Sequence, residues 1–380
     1  MISFYYGIVA HKEEISMHIT RLRLNQYRNY EALDMRPRPG ANVIVGDNAQ
    51  GKTNAIEGIF LCAFGRSHRT AKDGELIKQG CEGGYVGADI HTRMGDRRIE
   101  IRFREGERKR ILLDQKPAAR VGELMGALNV VMFSPEDLSL VKGGPAERRR
   151  FLDMELSQSY PAYFYQLQQY NAALRQRNAL LKAGPAQCRP AALSIWDAQL
   201  AALGARIIMQ RRRFIEKLAR LALSMHLEVS GGRERLDIRY MPGFETADFE
   251  NLEEKLLGAL SKGALEDIAR GFTRLGPHRD DMAVRLSDMD LRTFGSQGQQ
   301  RTAALSLKLS QLSLLKEETG EAPVLLLDDV LSELDQSRQR LLLKSVEGCQ
   351  CFLTCTSLDG LEKAGFSDMA IWRAEAGQLL

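Results

Sequence analysis

The sequence predicts an α/β body with a mixed, mostly parallel sheet, split by an inserted helical arm. Three observations carry that prediction. Apolar runs without alternation, "NVIV" at 42–45, "PVLLLDD" at 323–329 and "CFLT" at 351–354, fit strands covered on both faces. Between 146 and 229 the apolar spacing changes to the three-and-four rhythm of helices: Leu167, Tyr170, Leu174 and Leu181, then Leu200, Leu203, Ile207, Phe214 and Leu221. Strand patterns resume beyond "SGG" at 230–232, so the arm interrupts one body.

Composition narrows the class. With 380 residues, 44% hydrophobic and 27% charged, the chain has ordinary globular balance and length for more than one core. A net charge of +4, from 53 basic and 49 acidic residues, restricts any nucleic-acid surface to a local patch. The six cysteines form no CxxC pair, and Cys349, Cys351 and Cys355 have no nearby histidine to complete a metal set. Buried reduced thiols in a cytoplasmic setting are expected. No apolar run approaches the roughly eighteen residues of a bilayer crossing, and the first residues lack the basic segment and cleavage site of an export signal; no membrane partner is expected.

In chain order, residues 1–16 precede a second methionine, Met17, and are expected to lie outside the fold. Residues 17–145 open the body. There "TRLRL" at 20–24 alternates, a helix runs from Lys52 to about Phe64, and "RRIEIRFR" at 97–104 puts Ile99, Ile101 and Phe103 on one face. Residues 146–230 read as two antiparallel helices broken at "AGPAQCRPA", with too few heptads for a long coiled coil. Residues 231–380 complete the body: "MAVRL" at 282–286 and "DLRTF" at 290–294 read as strands around a turn, followed by a helix and two interior strands.

Gly46 to Thr53, "GDNAQGKT", matches GxxxxGK[ST] between a strand and a helix. In that setting the backbone of Gly46, Asp47, Asn48, Ala49, Gln50 and Gly51 wraps a polyphosphate, and the helix N-terminus adds free N–H donors and a favourable dipole. Lys52 is placed to reach the β and γ phosphates and Thr53 to ligate Mg²⁺. The run "VLLLDD" ends two carboxylates at a strand terminus, where α/β sheets collect ligands. Asp328 is the candidate to orient Mg²⁺, and Asp329 the candidate base or water-positioning group. Aspartates are also common strand-end residues, so the assignment rests on both motifs together; ATP and Mg²⁺ are the expected cofactors.

A second Gly-rich stretch, "GSQGQQR" at 295–301, opens an apolar helix. It resembles the signature of ABC-type ATPases, usually LSGGQQR, which implies an ABC-type ATPase head. Ser296, Gly298 and Gln299 would then form a second phosphate-binding loop, although Ser is also a preferred helix cap. In that family the signature of one subunit closes on the nucleotide held by the partner's phosphate loop, so the resemblance implies an ATP-bound head-to-tail homodimer. "SELD" at 332–335 resembles the D-loop that crosses the same joint. Gly295 and Gln297 replace the usual Leu and Gly, Asp329 stands where Glu is usual, and Thr354 or Thr356 stands where a switch histidine would be. These departures imply slow hydrolysis, with ATP acting as clamp or timer.

From Met17 onward the chain resembles the bacterial RecF family. The matching segments are "LNQYRNY", "GDNAQGKTN", "GRSHRT" at 65–70, "FSPEDLSLVKGGPAERRRFLD" at 133–153, "GPHRDD" at 276–281 and "GSQGQQRT". The resemblance implies a DNA repair, replication and recombination ATPase that dimerises with ATP on duplex or gapped DNA near single-strand junctions. It also implies work with RecR and RecO to load RecA, and support of the SOS response. A transporter subunit would share the loops but lack the arm, and an SMC-like structural ATPase would need far more heptads. A nucleotide-gated interaction module without turnover is barely separable by sequence.

Two basic runs are candidates for DNA contact. Residues 93–110 hold eight Arg or Lys against four acids, and residues 206–220 hold six against one. The second, which includes "RRR" at 211–213, reads equally as a solvated helix face. Arg66, His68 and Arg69 could meet nucleotide or DNA, and Glu136 and Asp137 lie where a coupling loop would be, with no Gln to mark it.

Overall fold

A computed structural model describes residues 17–185, 188–246, 248–359, 361 and 368–380; the predicted N-terminal extension lies outside them. Continuous apolar runs build a central sheet in the order β15-β14-β3-β13-β12-β8. Its strands are β3 (Ala41–Val45), β8 (Val130–Phe133), β12 (Val324–Asp328), β13 (Cys351–Cys355), β14 (Met369–Glu375) and β15 (Gln378–Leu379). All neighbours are parallel except the β14–β15 hairpin.

Side chains alternate across the sheet, and both faces are covered. Ile44, Val324, Leu326 and Phe352 pack with Ala55, Ile56 and Ile59 of α1 (Lys52–Phe64). Val43, Leu325, Leu327 and Leu353 pack instead with Leu305, Leu309 and Leu312 of α9 (Gln297–Thr319) and Leu342 of α10 (Gln336–Ser345). The helices that begin at the two Gly-rich loops therefore lie on opposite faces of one sheet.

An antiparallel sheet of β1 (His18–Tyr27), β2 (Tyr30–Met35), β4 (Gly83–Thr92), β5 (Gly95–Arg104), β6 (Arg110–Leu113) and β7 (Lys116–Pro117) shares the α1 core. Ile99, Ile101 and Phe103 are buried on the face that alternation assigns them.

The inserted region contains three long helices, not two: α3 (Pro145–Ser159), α4 (Pro161–Leu181) and α5 (Pro190–Ser230), after a short α2 (Ser139–Lys142). The unexpected break has a local cause. Pro161 disfavours helical geometry at Tyr160, which sits at φ −136° and ψ 88°. Each long helix starts on a proline, and α5 stops at Gly231, φ 66°.

These helices share a core with β9 (Leu236–Met241), β10 (Asp281–Leu286) and α6 (Leu252–Lys262), so that core extends beyond residue 230. Strands do resume after "SGG", as β9 and β10, but among the described residues the stretch between them is not extended: it forms α6 and α7 (Ala264–Arg270). "DLRTF" is likewise not a strand beyond β11 (Met289–Asp290): Asp290 accepts the Thr293 N–H at 2.9 Å and caps a single turn, α8 (Leu291–Phe294). One stretch of α5 is long and apolar enough in composition to cross a bilayer, yet its apolar stripe, Leu200, Ile207, Phe214 and Leu218, is core. Asp197 within that stretch pairs with the buried Arg177 at 2.6 Å.

Arg211 belongs to the same stripe, which removes it from the DNA candidates. Only 1% exposed, it meets Asp153 at 2.7 Å, Asp280 at 2.8 Å, the Pro277 carbonyl at 2.6 Å and the Tyr163 hydroxyl at 3.0 Å. It joins the "ERRRFLD" and "GPHRDD" segments through the arm. Arg211→Met should leave Asp280 buried and uncompensated and cost about 3–5 kcal/mol, read as a lowered urea midpoint.

Candidate nucleotide site

The loop from Gly46 to Gly51 leaves the C-terminal end of β3 and enters α1, whose first N–H groups have no intrahelical partners. Two glycines are demanded by their surroundings. A Cβ at Gly46 would sit 2.5 Å from the Ala374 carbonyl oxygen, and Gly51, at φ +112°, would meet the Asn29 side chain at 2.6 Å. Ala49 takes a left-handed φ of 66° to complete the curl.

Residues far in sequence strap this loop. The Asn29 amide donates to the Gln50 carbonyl at 3.0 Å and the Tyr30 hydroxyl to the Gly51 carbonyl at 3.1 Å. The Gln50 side chain accepts from the Ala376 N–H at 2.6 Å, so it anchors the β14–β15 turn. Lys52 donates to the carbonyls of Gly46 and Asp47 at 2.6 and 2.8 Å, with its ammonium folded over the curl.

Asp328 accepts from Thr53 Oγ1 at 3.0 Å and Thr354 Oγ1 at 2.8 Å, both on Oδ1. The Asp329 N–H donates to Thr354 Oγ1 at 3.0 Å. Thr354 is therefore buried and occupied in fixing the two aspartates, whereas Thr356 is exposed. Asp329 itself is exposed, at φ 52°, and its carboxylate has no hydrogen-bond or ion-pair partner among the described residues. A hydroxyl and a carboxylate meeting at 3.0 Å form a hard-oxygen pair suited to Mg²⁺, which needs few protein ligands when phosphates supply the rest. No larger cluster of His, Cys, Asp or Glu fit for a metal occurs among the described residues.

Sequence reasoning missed the clamp beneath α1. Glu57, fully buried, takes both Arg28 nitrogens at 2.8 and 2.7 Å and the Ser67 hydroxyl at 2.5 Å. Burial alone would raise its pKa; the Arg28 and Ser67 hydrogen bonds outweigh that and hold it below the usual carboxylate range. Arg69 adds a 3.6 Å ion pair to Glu57 and donates to Asn54 at 2.9 Å, and Asn54 in turn donates to Asn29 at 2.8 Å. Arg69 thus supports the loop from behind. His68 packs edge-on against Phe60 at 5.0 Å, and burial lowers its pKa.

At the second loop, Ser296 caps α9. Its Oγ accepts the Gln299 N–H at 3.3 Å, while the Gln299 side chain accepts the Ser296 N–H at 3.0 Å and donates to Glu234 at 2.8 Å. Capping uses a lone pair and leaves the Ser296 O–H free to donate. Gly298 is exposed, and a Cβ there would meet nothing closer than 4.0 Å, so no packing within the chain requires glycine. Arg301 contacts Glu333 at 3.3 Å, and Arg338 donates to Thr302 at 2.5 Å, tying the "SELD" turn to α9. Among the described residues no hydrogen bond or ion pair joins 46–53 to 295–299.

Residues 18–372 match the family model for the RecF/RecN/SMC N-terminal domain. A protein of Alkaliphilus oremlandii named DNA replication and repair protein RecF is 44% identical, the alignment covering 96% of this chain and 100% of that one. The chain belongs to the RecF family. A RecF of Acetivibrio thermocellus is 43% identical over 95% of this chain and 99% of its own. Solved structures of a RecF described as a recombination mediator of the RecFOR pathway superpose closely. The one described with ATP has a TM-score of 0.88 and 38% identity, covering 97% of this chain and 99% of its own. An Smc head of Pyrococcus furiosus, at TM-score 0.56 and 16% identity, shares the fold alone. The architecture is thus the ABC-type ATPase head of RecF and SMC proteins, as expected from the signature.

Proposed function

We propose that this chain binds ATP with Mg²⁺ and uses it to close a head-to-tail homodimer on duplex or gapped DNA near single-strand junctions. Slow hydrolysis then releases the clamp. One observation carries the reading: two loops competent for phosphate, Gly46–Thr53 and Ser296–Gln299, head helices on opposite faces of one sheet. Two molecules related by a two-fold axis can bring the first loop of each to the second loop of its partner, making two equivalent pockets. The open Gly298 and the 72% exposed ring of Phe294 suit such a joint.

In each pocket the curl and the α1 N–H groups hold phosphate oxygens, and Lys52 exchanges its carbonyl contacts for them. Mg²⁺, held by Thr53 and Asp328, would supply charge neutralisation. The unpaired Asp329 orients the attacking water and accepts its proton, while the partner's Ser296 hydroxyl donates to the terminal phosphate. A carboxylate one methylene shorter than Glu, with no histidine beside it, favours long dwell times. The relatives' names place them in DNA replication, repair and the RecFOR pathway. Beyond those names, we propose a cytoplasmic role alongside RecR and RecO in loading RecA, with consequences for the SOS response.

Single-turnover hydrolysis with and without duplex DNA tests the enzyme reading. Phosphate release of less than one turnover per second that rises with DNA is expected; none above background would leave a nucleotide-gated interaction module.

A further inference from the structure

The two basic runs of the sequence have different fates in the fold. In residues 93–110 most cations are already neutralised: Arg97 by Asp114 at 2.8 Å, Arg98 by Asp89 at 2.6 Å, Arg102 by Glu100 at 3.8 Å and Lys109 by Asp73 at 2.8 Å. Arg104 and Arg110 share Glu107, at 3.4 and 3.6 Å. A surface paired this fully offers little to a polyanion.

On α5 the outcome is reversed. Arg211 is buried, and Arg212 lies 4.2 Å over the Phe249 ring and pairs with Glu216 at 2.8 Å. Lys217 pairs with Glu318, an α9 carboxylate that also accepts from Tyr160. Glu216 and Glu318 are therefore engaged by other cations. Arg206, Arg213 and Arg220 remain: all three are exposed and, among the described residues, have neither an ion pair nor a hydrogen bond.

Their spacing is seven residues, which drifts only about 20° per repeat around a helix, so the three arginines leave α5 from one face along a nearly straight line of Cα positions. At 1.5 Å per residue that line is about 21 Å long. Duplex DNA rises about 3.4 Å per phosphate along each strand, so it matches roughly six steps of one backbone. A groove of about 360 Å³ beside Gln210, Arg213 and Arg220 gives the guanidinium groups room to turn toward a phosphate.

We infer that Arg206, Arg213 and Arg220 form a phosphate-tracking rail for one strand of duplex DNA, making α5 the arm's DNA-facing surface. The inference rests on the DNA-binding reading above and adds to it which surface makes the contact. The rail contacts phosphates only, so it contributes affinity and salt dependence without sequence preference.

The test is binding of the full chain, with ATP, to a mixed-sequence duplex across a salt series. Wild type is compared with the triple variant Arg206→Gln/Arg213→Gln/Arg220→Gln and with a control, Arg102→Gln/Arg104→Gln/Arg110→Gln, three paired residues of the other run. All three sites of the rail are exposed, so urea midpoints should agree. The rail variant should bind about 10–100-fold more weakly near physiological salt and lose about 2–3 from the slope of log K against log salt, with the control unchanged. A rail variant with the wild-type slope overturns the rail and leaves the DNA-binding reading standing. Wild type without salt-dependent binding overturns both.

Discussion

Ser296→Arg is expected to abolish ATP-driven dimerisation while leaving ATP binding within about twofold of wild type, because the residue is remote from its own chain's phosphate loop. Ser296 is exposed, and among the described residues its hydroxyl hydrogen-bonds only to the Gln299 N–H in the first turn of α9. Losing that cap costs about 1 kcal/mol, small beside the 5–15 kcal/mol typical of a folded domain, so the variant should remain folded. In the proposed dimer an arginine there would project into the space that the partner's nucleotide enters. Light scattering with and without ATP reads the dimer, and fluorescent-nucleotide titration reads binding. A Ser296→Arg protein that dimerises normally would contradict the trans pocket.

Lys52→Arg should act at the other half of the same pocket. The ammonium fits a space bounded by the Gly46 and Asp47 carbonyls at 2.6 and 2.8 Å, and the residue is 8% exposed. A planar guanidinium keeps the charge but cannot occupy that point, so phosphate contacts made as charge develops are misplaced. Hydrolysis should fall about 10²–10³-fold, as for removal of a single preorganised donor. Single-turnover rates at saturating ATP provide the check, and an unchanged rate would remove Lys52 from the chemistry.

Much of the geometry of the candidate nucleotide site was legible because its parts are backbone demands written as residue types. "GDNAQGKT" specifies a curl that only glycine tolerates at Gly46 and Gly51, and "VLLLDD" specifies a buried strand ending in carboxylates. The supports were not legible. The Asn29, Tyr30 and Ala376 straps and the Arg28–Glu57 clamp join positions brought together only by the sheet, and no local spacing announces them.

Elsewhere a local signal was present and another reading of it prevailed. Leu252, Leu256 and Leu260 have helical spacing and form the buried side of α6. "DLRTF" reads as a strand beside a turn, but Leu291 and Phe294 stand three residues apart, as in a helical turn, and Asp290 caps that turn. Arg211 continues the stripe of Leu200, Ile207, Phe214 and Leu218, so its position, rather than its charge, foretold burial. For residues 93–110 the neutralising acids Asp73, Asp89 and Asp114 lie on neighbouring segments, outside the run in which charge was counted.

The most direct measurement is complementation by mixing. Lys52→Arg and Ser296→Arg proteins, each inactive alone, are combined and assayed for ATP turnover. In a two-fold dimer the mixed pair contains one pocket with both defects and one with neither, so about a quarter of wild-type activity should return at equal concentrations if pairing is random, and up to about half if the Ser296→Arg protein pairs only with the other variant. A mixture as silent as its components would contradict a pocket shared between two molecules.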